Sequence, residues 1–168
     1  MIDSVGGHAL VKHGGALNGQ LSSFEFIPSL GYACTVLTNC DSGREMRAAV
    51  GGACLKAFMG MEPALPVIEP SLLATAEDLA GEYRQRLFDL SVDVTPAGLV
   101  IHERTAESMR PFIPAPDAPP FAAALFAPDR AVVLKGSRKG ERCEFLRDAD
   151  GRVAWLRWDG RLSRRVDG

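Results

Sequence analysis

Apolar and polar positions fall into three regimes along the chain. Up to Asn39, strand-length apolar runs are separated by glycine-containing turns: Ala9-Leu10-Val11, then Ser23-Phe24-Glu25-Phe26-Ile27, then Tyr32-Ala33-Cys34-Thr35-Val36-Leu37-Thr38. The turn signals Asn18-Gly19 and Pro28-Ser29-Leu30-Gly31 lie between them, which predicts neighbouring antiparallel strands. The second run alternates with a period of two. The third is apolar almost throughout, as in a strand covered on both faces. The period then changes: Met46, Ala49, Val50, Ala53, Ala57 and Phe58 recur at three- and four-residue spacing, predicting a helix that ends at Gly60 and turns one apolar stripe toward a sheet. Asp41-Ser42-Gly43-Arg44-Glu45 reads as its capping box, with Ser42 as N-cap and Glu45 reaching back. Gly51-Gly52 in mid-helix costs roughly 1 kcal/mol per glycine relative to alanine, which is tolerable where the helix backbone lies close against a sheet.

Residues 62–70 hold Pro63, Pro66 and Pro70 without periodicity and read as an extended connection. From about Ala76 a third regime begins, of short alternating strands with hairpin turns. Ser91 to Thr95, a Pro96-Ala97-Gly98 turn and Leu99 to His102 form one hairpin. Near the end, Asp148-Ala149-Asp150-Gly151 and Asp159-Gly160 separate strands at Cys143 to Leu146, Val153 to Trp158 and Arg161 to Val166. This spacing predicts an up-and-down barrel or curled sheet. The stretch from Pro111 through Pro114, Pro116, Pro119 and Pro120 to Pro128 is expected as a long loop over one end, because proline is excluded from central strands. Trp155 and Trp158 fall on opposite faces of one strand, so at most one points into the barrel.

Composition narrows the class. With 168 residues and 46 % hydrophobic content the chain can bury a real core. A net charge of −2, with the basic residues crowded after Arg130, does not make a nucleic-acid footprint. Cys34, Cys40, Cys54 and Cys143 form no C-x-x-C pair and read as small buried hydrophobes. No apolar run approaches the ~20 residues of a membrane span, and the Met1-Ile2-Asp3-Ser4 start lacks the features of a signal peptide. No metal site is expected: His8 and His102 have no ligand partners at metal spacing, and Asp148-Ala149-Asp150-Gly151 reads as a turn rather than a calcium loop.

The candidate chemistry lies in His13-Gly14-Gly15-Ala16-Leu17-Asn18-Gly19, followed by a strand, Pro28, a second strand and Thr38-Asn39-Cys40-Asp41-Ser42-Gly43. This ordered run resembles the third active-site motif and following elements of the serine β-lactamase and penicillin-binding-protein family, above all its class C, esterase and D-aminopeptidase branches. There H-x-G often stands for K-T-G on the strand bordering the active site. The resemblance covers roughly residues 5 to 60. It implies that the Ala16 amide is one oxyanion donor, that Gly15 lets the backbone approach the substrate carbonyl, and that His13 replaces the lysine that recognises or polarises substrate. Apart from that resemblance, a histidine beside two glycines at a strand end is a turn residue. The remaining family motifs are absent. No serine has a lysine three residues later, Tyr32 and Tyr83 begin no Y-x-N, and there is no G-x-S-x-G. A serine without an activating base is inert, so the chain alone is expected to be inactive.

Leu79-Ala80-Gly81-Glu82-Tyr83, opening the hairpin series, resembles the small lipocalin-like barrel that follows the hydrolase domain in several members of the family. It implies a domain that covers the active-site entrance or mediates oligomerisation. The resulting expectation is an α+β chain: hydrolase strands and helix over residues 1–60, a Pro-rich linker over 61–75, and a lipocalin-like barrel over 76–168. The functional expectation is the C-terminal part of a serine hydrolase acting on amide or ester bonds. The alternative is a non-catalytic module for small-ligand binding or oligomerisation. No cofactor, nucleic acid or membrane partner is expected; a homo-oligomer and a small-molecule or peptide-like ligand are.

Overall fold

The computed structural model describes residues 2–17, 19–40, 43–113 and 116–166. They form an α+β chain, mostly β with one main helix, that divides into two compact units, Met1–Ala64 and Leu65–Gly168.

The first unit is a four-stranded antiparallel sheet in the order β1 (Ile2–Val5), β2 (His8–Leu17), β3 (Gln20–Ile27) and β4 (Tyr32–Thr38), followed by α1 (Gly43–Met59). Three of these strands match the apolar runs; β1, too short and polar to stand out, is an addition. Gly6 and Gly7, at φ of 54° and 81°, make the two-residue turn that folds β1 onto β2. The Asn18 half of the next turn and the proposed Ser42 cap lie outside the described residues. Gly60 closes α1 in the left-handed conformation, its amide donating to the Lys56 carbonyl at 2.9 Å.

The helix packs with the face opposite to the one expected. Met46, Ala49, Val50, Ala53, Ala57 and Phe58 are exposed, Phe58 at 73 %, while Gly43, Gly51 and Leu55 are buried. The physical reason is closeness of approach. A Cβ on Gly51 would stand 2.9 Å from a Glu25 carboxylate oxygen, and one on Gly43 2.3 Å from Thr38 Oγ1. The glycine face therefore brings the helix axis down onto the sheet, where Leu55 joins Val5, Leu10, Ile27 and Tyr32 in a small core.

The second unit is a closed eight-stranded antiparallel barrel. Its strands are β5 (Gly81–Arg84), β6 (Phe88–Thr95), β7 (Gly98–Thr105), β8 (Phe121–Ala127), β9 (Arg130–Val133), β10 (Arg142–Arg147), β11 (Val153–Trp158) and β12 (Arg161–Arg165). Each pairs with the next and β12 pairs with β5, so the barrel is up-and-down and has no edge. The hairpins at 96–98, 148–151 and 159–160 stand where the turn residues put them. β8 corrects the expected long loop. Prolines 119, 120 and 128 bound the apolar run Phe121–Ala127 without interrupting it, and the run forms a strand between β7 and β9. Pro70–Thr75 forms a 3-10 helix against β8. The interior is filled by side chains, among them Tyr83, Leu90, Ile101, Phe121, Phe145, Leu156 and Trp158. Trp158 is 2 % exposed and Trp155 39 %, the division their spacing implies.

Candidate functional site

His13, Gly15 and Ala16 lie on the second half of β2. In a two-residue hairpin the residues flanking the turn, here Val5 and His8, form the closing hydrogen-bonded pair. Backbone groups then point to alternate sides along the strand, so those of Leu10, Gly14 and Ala16 face the β1 side. β1 pairs with β2 only from His8 to Val11. The Gly14 and Ala16 backbone groups consequently face an edge that no strand covers among the described residues. His13 and Gly15 bond toward β3, opposite Phe24 and Ser22.

Side chains alternate in the same register. Those of His13 and Leu17 share a sheet face with Ile2, Val11, Phe24, Phe26, Thr35 and Leu37, while α1 covers the other face, where a Gly14 Cβ would contact Arg47. The His13 face carries no Asp, Glu, Lys or Arg among the described residues. Leu17 and Leu37 are each 74 % exposed on it, and Phe24 stacks on Phe26 with ring centroids 5.2 Å apart. A Cβ at Gly15 would stand 2.6 Å from Ser22 Oγ, so the glycine leaves room for the Ser22 hydroxyl on this face. On the covered side, the Arg47 guanidinium donates to the Ser22 carbonyl. The three expected residues thus border one open edge and one uncharged face. They bring no nucleophile and no base beside His13, and the His13 side chain has no hydrogen-bond partner among the described residues.

The other sequence candidates separate from this site. His8 Nδ1 meets Ser29 Oγ at 2.9 Å on the surface. Asp148 Oδ1 accepts from the Asp150 and Arg152 amides, which makes the 148–151 segment a turn. Among the described residues no group of three or more His, Cys, Asp or Glu is placed to hold a metal. Among the described residues no helix is long and apolar enough to cross a membrane. His102 Nε2 lies 3.1 Å from Asp93 Oδ2 on the outer barrel surface, with Ser91 opposite it in register. These are the residue types of a triad, but Ser91 makes no bond to His102.

One buried charge cluster had no signal in the sequence. Arg138, 7 % exposed, donates through Nη2 to both Glu103 oxygens at 3.0 and 2.9 Å and through Nη1 to both Glu141 oxygens at 3.1 and 2.9 Å. Trp158 Nε1 also donates to Glu103, and the guanidinium stands over the Phe121 and Trp158 rings at 5.7 and 5.2 Å. Burial works against the Arg138 charge, but the carboxylates of Glu141, Glu103 and Asp159 more than offset it and raise its pKa. Every partner is paired within the barrel, so the cluster closes the core rather than presenting a site.

No family model and no curated protein matches the chain. Solved structures do. SurE with D-Leu superposes with a TM-score of 0.54 at 20 % identity, over 99 % of this chain and 37 % of that one. A second SurE structure gives 0.52 at 22 % identity, over 99 % and 36 %. The octameric penicillin-binding protein homologue from Pyrococcus abyssi gives 0.35 at 17 % identity, over 94 % and 33 %. The likeness to SurE is one of fold, and this chain spans little more than a third of the length of that protein.

Proposed function

We propose that this chain is the C-terminal part of a serine hydrolase of the penicillin-binding-protein kind. The observation that carries the reading is the open edge of β2, where the Gly14 and Ala16 backbone groups face outward beside His13 and an uncharged sheet face. An acyl-transfer site needs such a strand: an amide aimed at the developing oxyanion, a glycine so that substrate can approach, and a polar side chain at the border. In this reading the Ala16 amide is one oxyanion donor and His13 orients or polarises substrate. The nucleophile and its base come from polypeptide beyond these 168 residues. The exposed Ile2, Leu17, Leu37, Met46 and Phe58 of the first unit are the surfaces that polypeptide would cover. The filled barrel interior favours a covering or assembly role for the second unit over a ligand held inside it.

The test is to identify the native polypeptide by immunoblot and assay it on amide and ester substrates. D-leucine amides come first, since SurE has been solved with D-Leu. A native band well above the mass of this chain, hydrolysis by that longer protein, and a loss of roughly 10²-fold in kcat/KM for His13→Ala are expected. A native band at the mass of this chain, or full activity in His13→Ala, would overturn the reading. In that case light scattering should find the homo-oligomer that buries the same surfaces between copies.

A further inference from the structure

We propose that Cys34 and Cys54 form a redox pair that, on oxidation, joins α1 covalently to β4. The argument starts from the descent of the helix along the strand. Gly43 lies against Thr38, Gly51 against Glu25, and Leu55 packs with Tyr32 and Ile27, so α1 runs antiparallel to β4. Going from Thr38 back to Cys34 covers four strand residues, about 13 Å. The same distance along a helix rising 1.5 Å per residue takes about nine residues and leads from Gly43 to the Gly51–Leu55 turn. Glu25, which Gly51 touches, is the cross-strand partner of Cys34 on the helix-covered face. Cys54 is three residues beyond Gly51, on the same turn. Both thiols are half-buried, and Cys34 packs against the Leu55 cluster.

Burial pushes the Cys34 thiol up, and the neighbouring Cys54 thiol adds to this. Either cysteine can attack first; in one order it is Cys54. Its thiolate attacks a low-molecular-weight disulfide, forming a mixed disulfide and releasing one small thiolate, while its proton passes to solvent. Cys34 then loses its proton and attacks the Cys54 sulfur, forming the protein disulfide and releasing the second small thiol. The protein loses two hydrogens and the small disulfide is reduced to two thiols. Cys143, buried in the barrel and pushed up to about 12 by that burial, takes no part.

The full 168-residue chain is incubated with oxidised glutathione, the remaining thiols are alkylated, and the digest is analysed by mass spectrometry. A mass loss of two hydrogens, with the Cys34 peptide linked to the Cys54 peptide and Cys143 still alkylated, is the expected result. The thermal midpoint of the first unit should rise by about 5 °C or more. Cys34→Ser and Cys54→Ser should each abolish the internal link, and far-UV circular dichroism shows whether they fold. No link in the wild-type chain, or a link made mainly to Cys40 or between chains, would overturn the proposal without bearing on the hydrolase reading.

Discussion

The two units solve the same problem, burying β-strands, in opposite ways. The barrel closes on itself: every strand is paired on both sides and the interior is packed with aromatic and branched residues. The sheet-and-helix unit ends in two open edges, β1 and β4, buries a core centred on Val5, Leu10, Ile27, Tyr32 and Leu55, and leaves large apolar residues exposed on both its sheet face and its helix. Open edges and apolar faces are places where other polypeptide or substrate adds on. A closed barrel offers no open edge. His13, Gly15 and Ala16 lie on the unit with the open edges and the exposed apolar faces.

This contrast can be broken or sharpened by substitution. The largest effect is expected in the barrel: Arg138→Ala leaves Glu103 buried without its main partner and should cost about 3–5 kcal/mol, read as a fall in the denaturant midpoint of the second unit. If the loss were under 1 kcal/mol, the closed unit would not depend on its internal charge cluster. Gly98→Ala comes next. Gly98 sits at φ of 130°, and an added Cβ would stand 2.6 Å from the Ala123 carbonyl oxygen, so a cost of roughly 2–3 kcal/mol is expected. Gly15→Ala in the open unit should cost less than about 1 kcal/mol, because the clashing Ser22 Oγ can rotate away.

A pH effect of smaller size tests the barrel's surface. The Arg147 guanidinium, bonded to Asp78, holds that carboxyl below the usual carboxylate range. Because the folded pKa is the lower one, the contribution is complete above the ordinary value of about 4 and is lost as pH falls through the folded value. Asp78 is half exposed, so Asp78→Asn should cost under about 1 kcal/mol at neutral pH and nothing in strong acid, as urea titrations at both pH values would show. Smallest of all, Leu37→Ser and Phe58→Ser should change stability by no more than about 0.5 kcal/mol while lowering dye binding to exposed apolar surface. A loss of several kcal/mol from either would mean that these faces are covered within this chain.

Much of the fold was legible. Turn residues marked the hairpins at 96–98, 148–151 and 159–160, and the change of period marked α1 to within a residue of its observed ends. What misled was weight given to hydrophobicity and proline without their context. The Met46–Phe58 stripe is the more apolar helix face, yet the glycine face packs, because packing depends on how closely backbones can approach. The prolines flanking Phe121–Ala127 suggested a loop because the alanine-rich strand between them has weak β propensity. At the candidate site, the identities of His13, Gly15 and Ala16 were readable from a motif, but the openness of their edge follows from how far β1 extends along β2. The charge cluster around Arg138 has no periodic signal, since Glu103, Arg138 and Trp158 come from distant segments.

The sequence by itself determined the hairpin turns at 96–98, 148–151 and 159–160, the extent of α1, and that no S-x-x-K accompanies the His13 motif, because these depend on residues a few positions apart. Tertiary structure alone decided which face of α1 is buried, which edge of β2 stays open, and that Arg138 meets Glu103. Those outcomes rest on steric approach and strand register between segments far apart in the chain, and local periodicity carries no record of either.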